Sequence, residues 1–81
     1  MTASGRALTD GTARAGWDAI DLWRAALAVG GGFAREDVEA ILVGARPATD
    51  AEHDILAATL NSHLVEQDER HPVAYWRDLD R

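Results

Sequence analysis

Apolar positions recur along this chain with a helical period from Ala15 onward, and almost vanish before it. Between Ala15 and Val29, Ile20, Trp23 and Leu27 fall within roughly 60° of one another on a 3.6-residue wheel, with Ala19 and Ala26 beside them. Leu22 and Val29 widen the apolar arc to about half the circumference. The spacing predicts a first helix over residues 15–29 that faces several neighbours, with Asp18, Asp21, Arg24, Ala25 and Ala28 on the other side. Gly30, Gly31 and Gly32 end it, because glycine takes the left-handed conformation of a helix terminus cheaply. Ala34, Val38, Ile41 and Leu42 follow at i, i+4, i+7 and i+8, which predicts a second helix over 34–43. Its outer side carries Arg35 and Glu39 four residues apart, and such pairs contribute about 0.2–0.5 kcal/mol. Gly44 and Pro47 stop it.

The third helix has the most explicit start. Thr49-Asp50-Ala51-Glu52 matches a capping box, in which Thr49 accepts from the amide of residue 52 and Glu52 reaches back. A cap of this kind contributes about 1 kcal/mol. The acidic residues of the first turn suit the helix dipole. Leu56, Leu60 and Leu64 form the inward ridge with Ala57 alongside, and the helix is expected to run to about Asp68. Pro72 can open a further turn. Val73, Trp76 and Leu79 then lie three apart, as in a short helix. An extended tail packed through Tyr75 and Trp76 is the alternative. Residues 1–14, with Leu8 as their one large apolar side chain, read as a flexible N-terminal tail. The expected fold is therefore all-α: a three-helix bundle over residues 15–81 with a short C-terminal helix or packed tail.

Composition narrows the class. At 81 residues the chain is one domain at most, and a fold this small holds only about 0.05–0.15 kcal/mol of stability per residue. A partner chain would help it, so a homo-oligomer fits its size. A hydrophobic content of 47% is that of a globular chain. Cysteine is absent, which excludes disulfides, thiolate zinc sites and cysteine nucleophiles. The cytoplasm is the expected compartment, since small secreted domains usually need covalent staples and no basic-then-apolar leader is present. No apolar run is long enough to span a bilayer. The net charge is −6, and all eight basic residues are arginine. That balance repels phosphate backbones and anionic lipids, so neither nucleic acid nor membrane is an expected partner.

No catalytic or cofactor chemistry emerges from the motifs. His53 and His63 stand ten residues apart, about 80° around one helix, and do not converge on one metal. No Glu-x-x-His motif is present to build a carboxylate-bridged metal pair. His53 falls on the arc of the leucine ridge, His63 at its edge, and His71 ahead of the last element. The triple glycine follows a helix and lacks the lysine of a phosphate loop. A phosphotransfer histidine needs an exposed imidazole with a base beside it, and lysine is absent. Ser4 falls in the tail and Ser62 points away from its neighbour His63. The chain is expected not to be an enzyme and to need no metal or cofactor.

The expected function is a non-enzymatic, acidic helical module for protein–protein contact, regulatory or accessory. The candidate partner-binding residues are Trp17, Asp21, Asp54, Asn61 and Trp76. Trp17 falls on the polar side of the first helix, so either a terminal segment covers it or it is an aromatic anchor of the type that dominates interfaces. Asp50, Asp54, Asn61 and Asp68 form an acidic stripe that a basic partner could recognise. Two alternatives stand beside this reading. One is a helix-turn-helix nucleic-acid-binding regulator built from the second and third helices. Its link, from Gly44 to Thr49, exceeds the usual turn, and Asp50, Glu52, His53 and Asp54 would face the groove. The other is an acidic inhibitor or antitoxin-like protein that blocks a basic target. The stretches Gly30-Gly31-Gly32-Phe33-Ala34-Arg35-Glu36-Asp37-Val38-Glu39-Ala40-Ile41-Leu42, Glu52-His53-Asp54-Ile55-Leu56-Ala57-Ala58-Thr59-Leu60-Asn61 and His71-Pro72-Val73-Ala74-Tyr75 resemble those of short proteins common in actinobacteria and their phages. That resemblance spans about Trp17 to Leu79. It implies no activity and assigns no site residue.

Overall fold

The structure, a computed structural model, describes residues 2–68 and 70–79. Met1 of the expected tail, and Asp80 and Arg81 at the end of the expected domain, lie outside the described residues. Four α-helices follow one another: α1 (Ala3–Arg14), α2 (Ala19–Ala28), α3 (Arg35–Val43) and α4 (Asp50–Glu66). Among the described residues a 3₁₀ turn, Trp76–Asp78, comes last. The fold is all-α, with no strand among the described residues. The expected three helices are α2, α3 and α4. Both α1 and α2 pack across α3 and α4, in a body 31 × 27 × 19 Å.

The first fourteen residues are not a flexible tail. Thr2 caps α1 by accepting from the Gly5 amide at 2.9 Å, and the helix buries Ser4, Gly5, Leu8, Gly11 and Thr12. Those positions keep helical spacing, but in small side chains rather than apolar ones, so the two helices approach closely. A Cβ on Gly11 would run into a methyl of Val73 and lie 3.2 Å from Leu60 Cδ1. Gly16, at φ 72°, ends α1, and the Trp17 amide closes the terminus onto the Thr12 carbonyl at 3.0 Å.

That stop moves the start of the next helix to Ala19. Asp18 and Asp21 form a reciprocal capping box there. The inward face of α2 is Leu22 and Ala26, rotated by roughly 100° from the arc expected through Ile20, Trp23 and Leu27. Ile20 and Leu27 are exposed, and Trp23 is half-buried with its Nε1 donating to the Phe33 carbonyl at 3.0 Å. Ala26 faces inward because the small side chain suits a helix crossed by two neighbours.

Helices α3 and α4 follow the sequence closely. Val38 and Ile41 are buried, Arg35 meets Glu39 at 3.5 Å, and Gly44 ends α3 at φ 80°. On α4, Thr49 and Glu52 form the capping box, and Leu56, Leu60 and Leu64 are buried with Ala57. The core runs from Leu8 through Leu22, Val38 and Ile41 to this ridge. After Glu66 the chain turns through Gln67 and Asp68, the only described non-glycine residue with positive φ (59°). Residues 70–75 then run back along α4 without helix, so of the two alternatives the extended segment holds up to Tyr75 and a single turn follows. Val73 is its buried residue.

Candidate functional site

Three of the five expected partner-binding residues come together, but they serve the fold. The Asn61 amide grips the main chain of Val73 from both sides. Its Nδ2 donates to the Val73 carbonyl at 3.0 Å, and its Oδ1 accepts from the Val73 amide at 2.7 Å. Asp54 Oδ1 accepts from the Trp76 amide at 2.8 Å. Trp76 is half-buried, with its ring edge-on to His53 at 6.0 Å between centroids. Asp54, Asn61 and Trp76 thus hold the C-terminal segment on α4.

His53, one residue before Asp54, completes that hold. It is wholly buried between Ser4 and the segment. Its Nε2 lies 2.7 Å from the Ala74 carbonyl, which can only accept, so Nε2 carries the proton. Its Nδ1, 2.7 Å from Ser4 Oγ, therefore accepts from the hydroxyl. One imidazole ties α1, α4 and the C-terminal segment together. Arg14 Nη1 adds a bond to the His71 carbonyl. Sequence spacing placed His53 inward but could not supply Ser4, because that residue sat in the presumed tail.

Trp17 is not an open anchor. It is half-buried and stacks on His63 of α4, with centroids 4.2 Å apart and planes at 24°. The cover expected from a terminal segment comes instead from α4. Asp21 stays exposed, where its carboxylate accepts from the Asp18 amide at 3.1 Å. In return the Asp21 amide is the leading cause that holds the Asp18 carboxyl below its ordinary value. Asp50 and Asp68 of the acidic stripe are exposed, and Asp54 is engaged. For the helix-turn-helix alternative, two of the four residues at the start of α4 are committed inside the fold: His53 and Asp54.

Residues outside the sequence candidates shape the surface. Asp18, Ala19, Ile20, Glu39, Leu42 and Val43 line a shallow groove of about 330 Å³ between the start of α2 and the end of α3. Val43 is 73% exposed and Ile20 36%, while Leu42 is half-buried against the core. Four apolar side chains and two acids make up the lining, and Arg35 meets one of those acids, Glu39, at 3.5 Å. The rotation of α2 that turned Ile20 outward made this groove.

Across from it, Arg46 bridges to Glu52 through two bonds at 3.0 and 2.8 Å, with Asp37 at 3.7 Å. That fork holds the Glu52 carboxyl down at about 2, and the carboxylate in turn raises the Arg46 guanidinium. Among the described residues no group of three or more His, Asp or Glu is placed to hold a metal ion. No buried side-chain nitrogen or oxygen there lacks a hydrogen-bond partner. None of the described helices is long and apolar enough to cross a membrane. Comparison with protein-family models, curated proteins and solved structures finds no match to this chain.

Proposed function

We propose that this chain is a non-enzymatic, acidic helical module that binds another protein, and that the α2–α3 groove is its docking surface. The observation that carries the reading is the pairing of exposed Ile20 and Val43 with Asp18 and Glu39 on one lining, where Arg35, itself half-exposed, is the cation that now meets Glu39 and that a basic partner would compete with. Such a surface suits a basic amphipathic helix, whose apolar residues would enter the groove while arginine or lysine meets the rim. The chain's charge of −6 works in the same direction by steering a basic partner. Asp21 shares the exposed α2 terminus with Asp18 and adds to that field.

The test compares proteins retained from a native lysate by immobilised wild type, Val43→Asp and the pair Asp18→Asn with Glu39→Gln. Asparagine preserves the α2 cap while removing the charge. A basic partner held by the wild type should be lost on Val43→Asp. It should be held more weakly, and with less sensitivity to salt, by the charge variant. Equal retention by Val43→Asp, or no specific retention by the wild type, contradicts the proposal.

A further inference from the structure

The C-terminal segment is held like a bound peptide. Groove side chains grip its main-chain atoms: Asn61 takes both polar atoms of Val73, His53 takes the Ala74 carbonyl, Asp54 takes the Trp76 amide, and Arg14 takes the His71 carbonyl. One side chain specifies register. Val73 fills the notch opposite Gly11, where even a Cβ would collide. Nothing in that set of contacts depends on the segment belonging to the same molecule. The path that makes it intramolecular runs through Asp68, which sits at φ 59°, a left-handed conformation that aspartate tolerates and most other L residues seldom adopt.

We infer that the α1–α4 groove is a receptor for an extended peptide, and that it accepts residues 71–76 from a second copy of this chain in a reciprocally exchanged dimer. Every groove contact would be kept in the exchange, and the left-handed turn at Asp68 would open. The own segment holds the advantage only through its high effective concentration, which opening the turn removes. Exchange of an identical element is a low-barrier route to a symmetric dimer for that reason. This inference is independent of the α2–α3 groove.

Asp68→Pro tests it. Proline fixes φ near −65°, disfavours the helical conformation of Gln67, and deletes the amide that now bonds to the Val65 carbonyl at 3.0 Å. The chain has no cysteine, so cysteines can report the exchange. Ala58→Cys and Tyr75→Cys, at positions that line one shallow pocket between α4 and the segment and take no part in the grip, are placed on two differently tagged copies. The copies are unfolded together and refolded at millimolar concentration, in the wild-type and the Asp68→Pro backgrounds. A control chain carries both cysteines. A mixed disulfide between the two tags is expected in both backgrounds, raised roughly tenfold by Asp68→Pro over wild type. Light scattering of Asp68→Pro without cysteines should give twice the monomer mass. Where Asp68→Pro does not fold, the wild-type background decides. Absence of any mixed disulfide, while the control chain closes its own, overturns the inference.

Discussion

The two sides of α4 are built on different principles. On one side, α1 and the C-terminal segment meet it through small residues and hydrogen bonds: Ser4 to His53, His53 to Ala74, and Asn61 to both polar atoms of Val73. On the other, α2 and α3 meet the core through Leu22, Ala26, Val38 and Ile41. The first side is closed, because each buried polar group there dictates where its partner must be. On the second, Trp23 Nε1 donates to the Phe33 carbonyl, and apolar contacts make up the core. Apolar packing is non-directional, and it leaves Ile20 and Val43 at the surface beside Asp18 and Glu39. Polar burial fixes a register, whereas the apolar side retains a surface that a partner can still cover.

Four substitutions sharpen that contrast, in falling order of effect. Leu60→Ala removes the side chain at the centre of the ridge, wholly buried and close to Gly11. Denaturant unfolding should show a loss of about 3 kcal/mol, since the cavity adds to the lost transfer energy. Asn61→Ala strips partners from both polar atoms of Val73 while removing little volume. A loss of about 2 kcal/mol is expected, with the amide of Val73 becoming open to exchange. If Asn61→Ala is neutral, the polar side is not the more constrained one.

Glu52→Gln acts through charge. The Arg46 fork depresses the Glu52 carboxyl from its ordinary 4.5 to about 2. A depressed carboxyl contributes stability that is full above its ordinary value and lost as pH falls toward its folded one. The wild type should therefore lose about 1 kcal/mol from this pair between pH 5 and pH 2, once solvent screening of a partly exposed pair is counted. Glu52→Gln should be less stable near neutrality, and should lose less on acidification over that window. Urea midpoints at several pH values read both effects, and parallel acid profiles would exclude the pair as their source. The smallest change is Val43→Asp, within about 0.5 kcal/mol, because the side chain is mostly in water. A large loss there would mean that the α2–α3 side is closed as well.

The legible parts of this molecule are those whose signals are local. The Thr49–Glu52 box, the Leu56–Leu60–Leu64 ridge and the Gly44 stop need only neighbours within a turn or two, and all three stand where spacing put them. Helix α1 was illegible because its inward stripe is Ser4, Gly5, Leu8, Gly11 and Thr12. Hydrophobic period reads that stripe as a tail, although Thr2 as a cap and the regular recurrence of small residues were there to be seen. The face of α2 was misplaced because apolar residues cover about half its circumference, so the period alone does not say which part of that arc turns inward, and the buried part is Leu22 and Ala26. Asp54, Asn61 and Trp76 were singled out as partner-binding residues, and in the fold they hold the chain's own C-terminal segment. That hold depends on Val73 folding back across twelve residues of sequence, which no local pattern encodes.

Residue-resolved hydrogen exchange of the wild type and Asn61→Ala tests most directly whether α1 and the C-terminal segment form one locked unit. The account predicts that the amides of Leu8 and Thr12 are protected in the wild type. In Asn61→Ala their protection should fall together with that of Val73, while the amides of Val38 and Ile41 keep theirs. Amides of Leu8 and Thr12 that exchange in the wild type at the rate of an unstructured chain would contradict it.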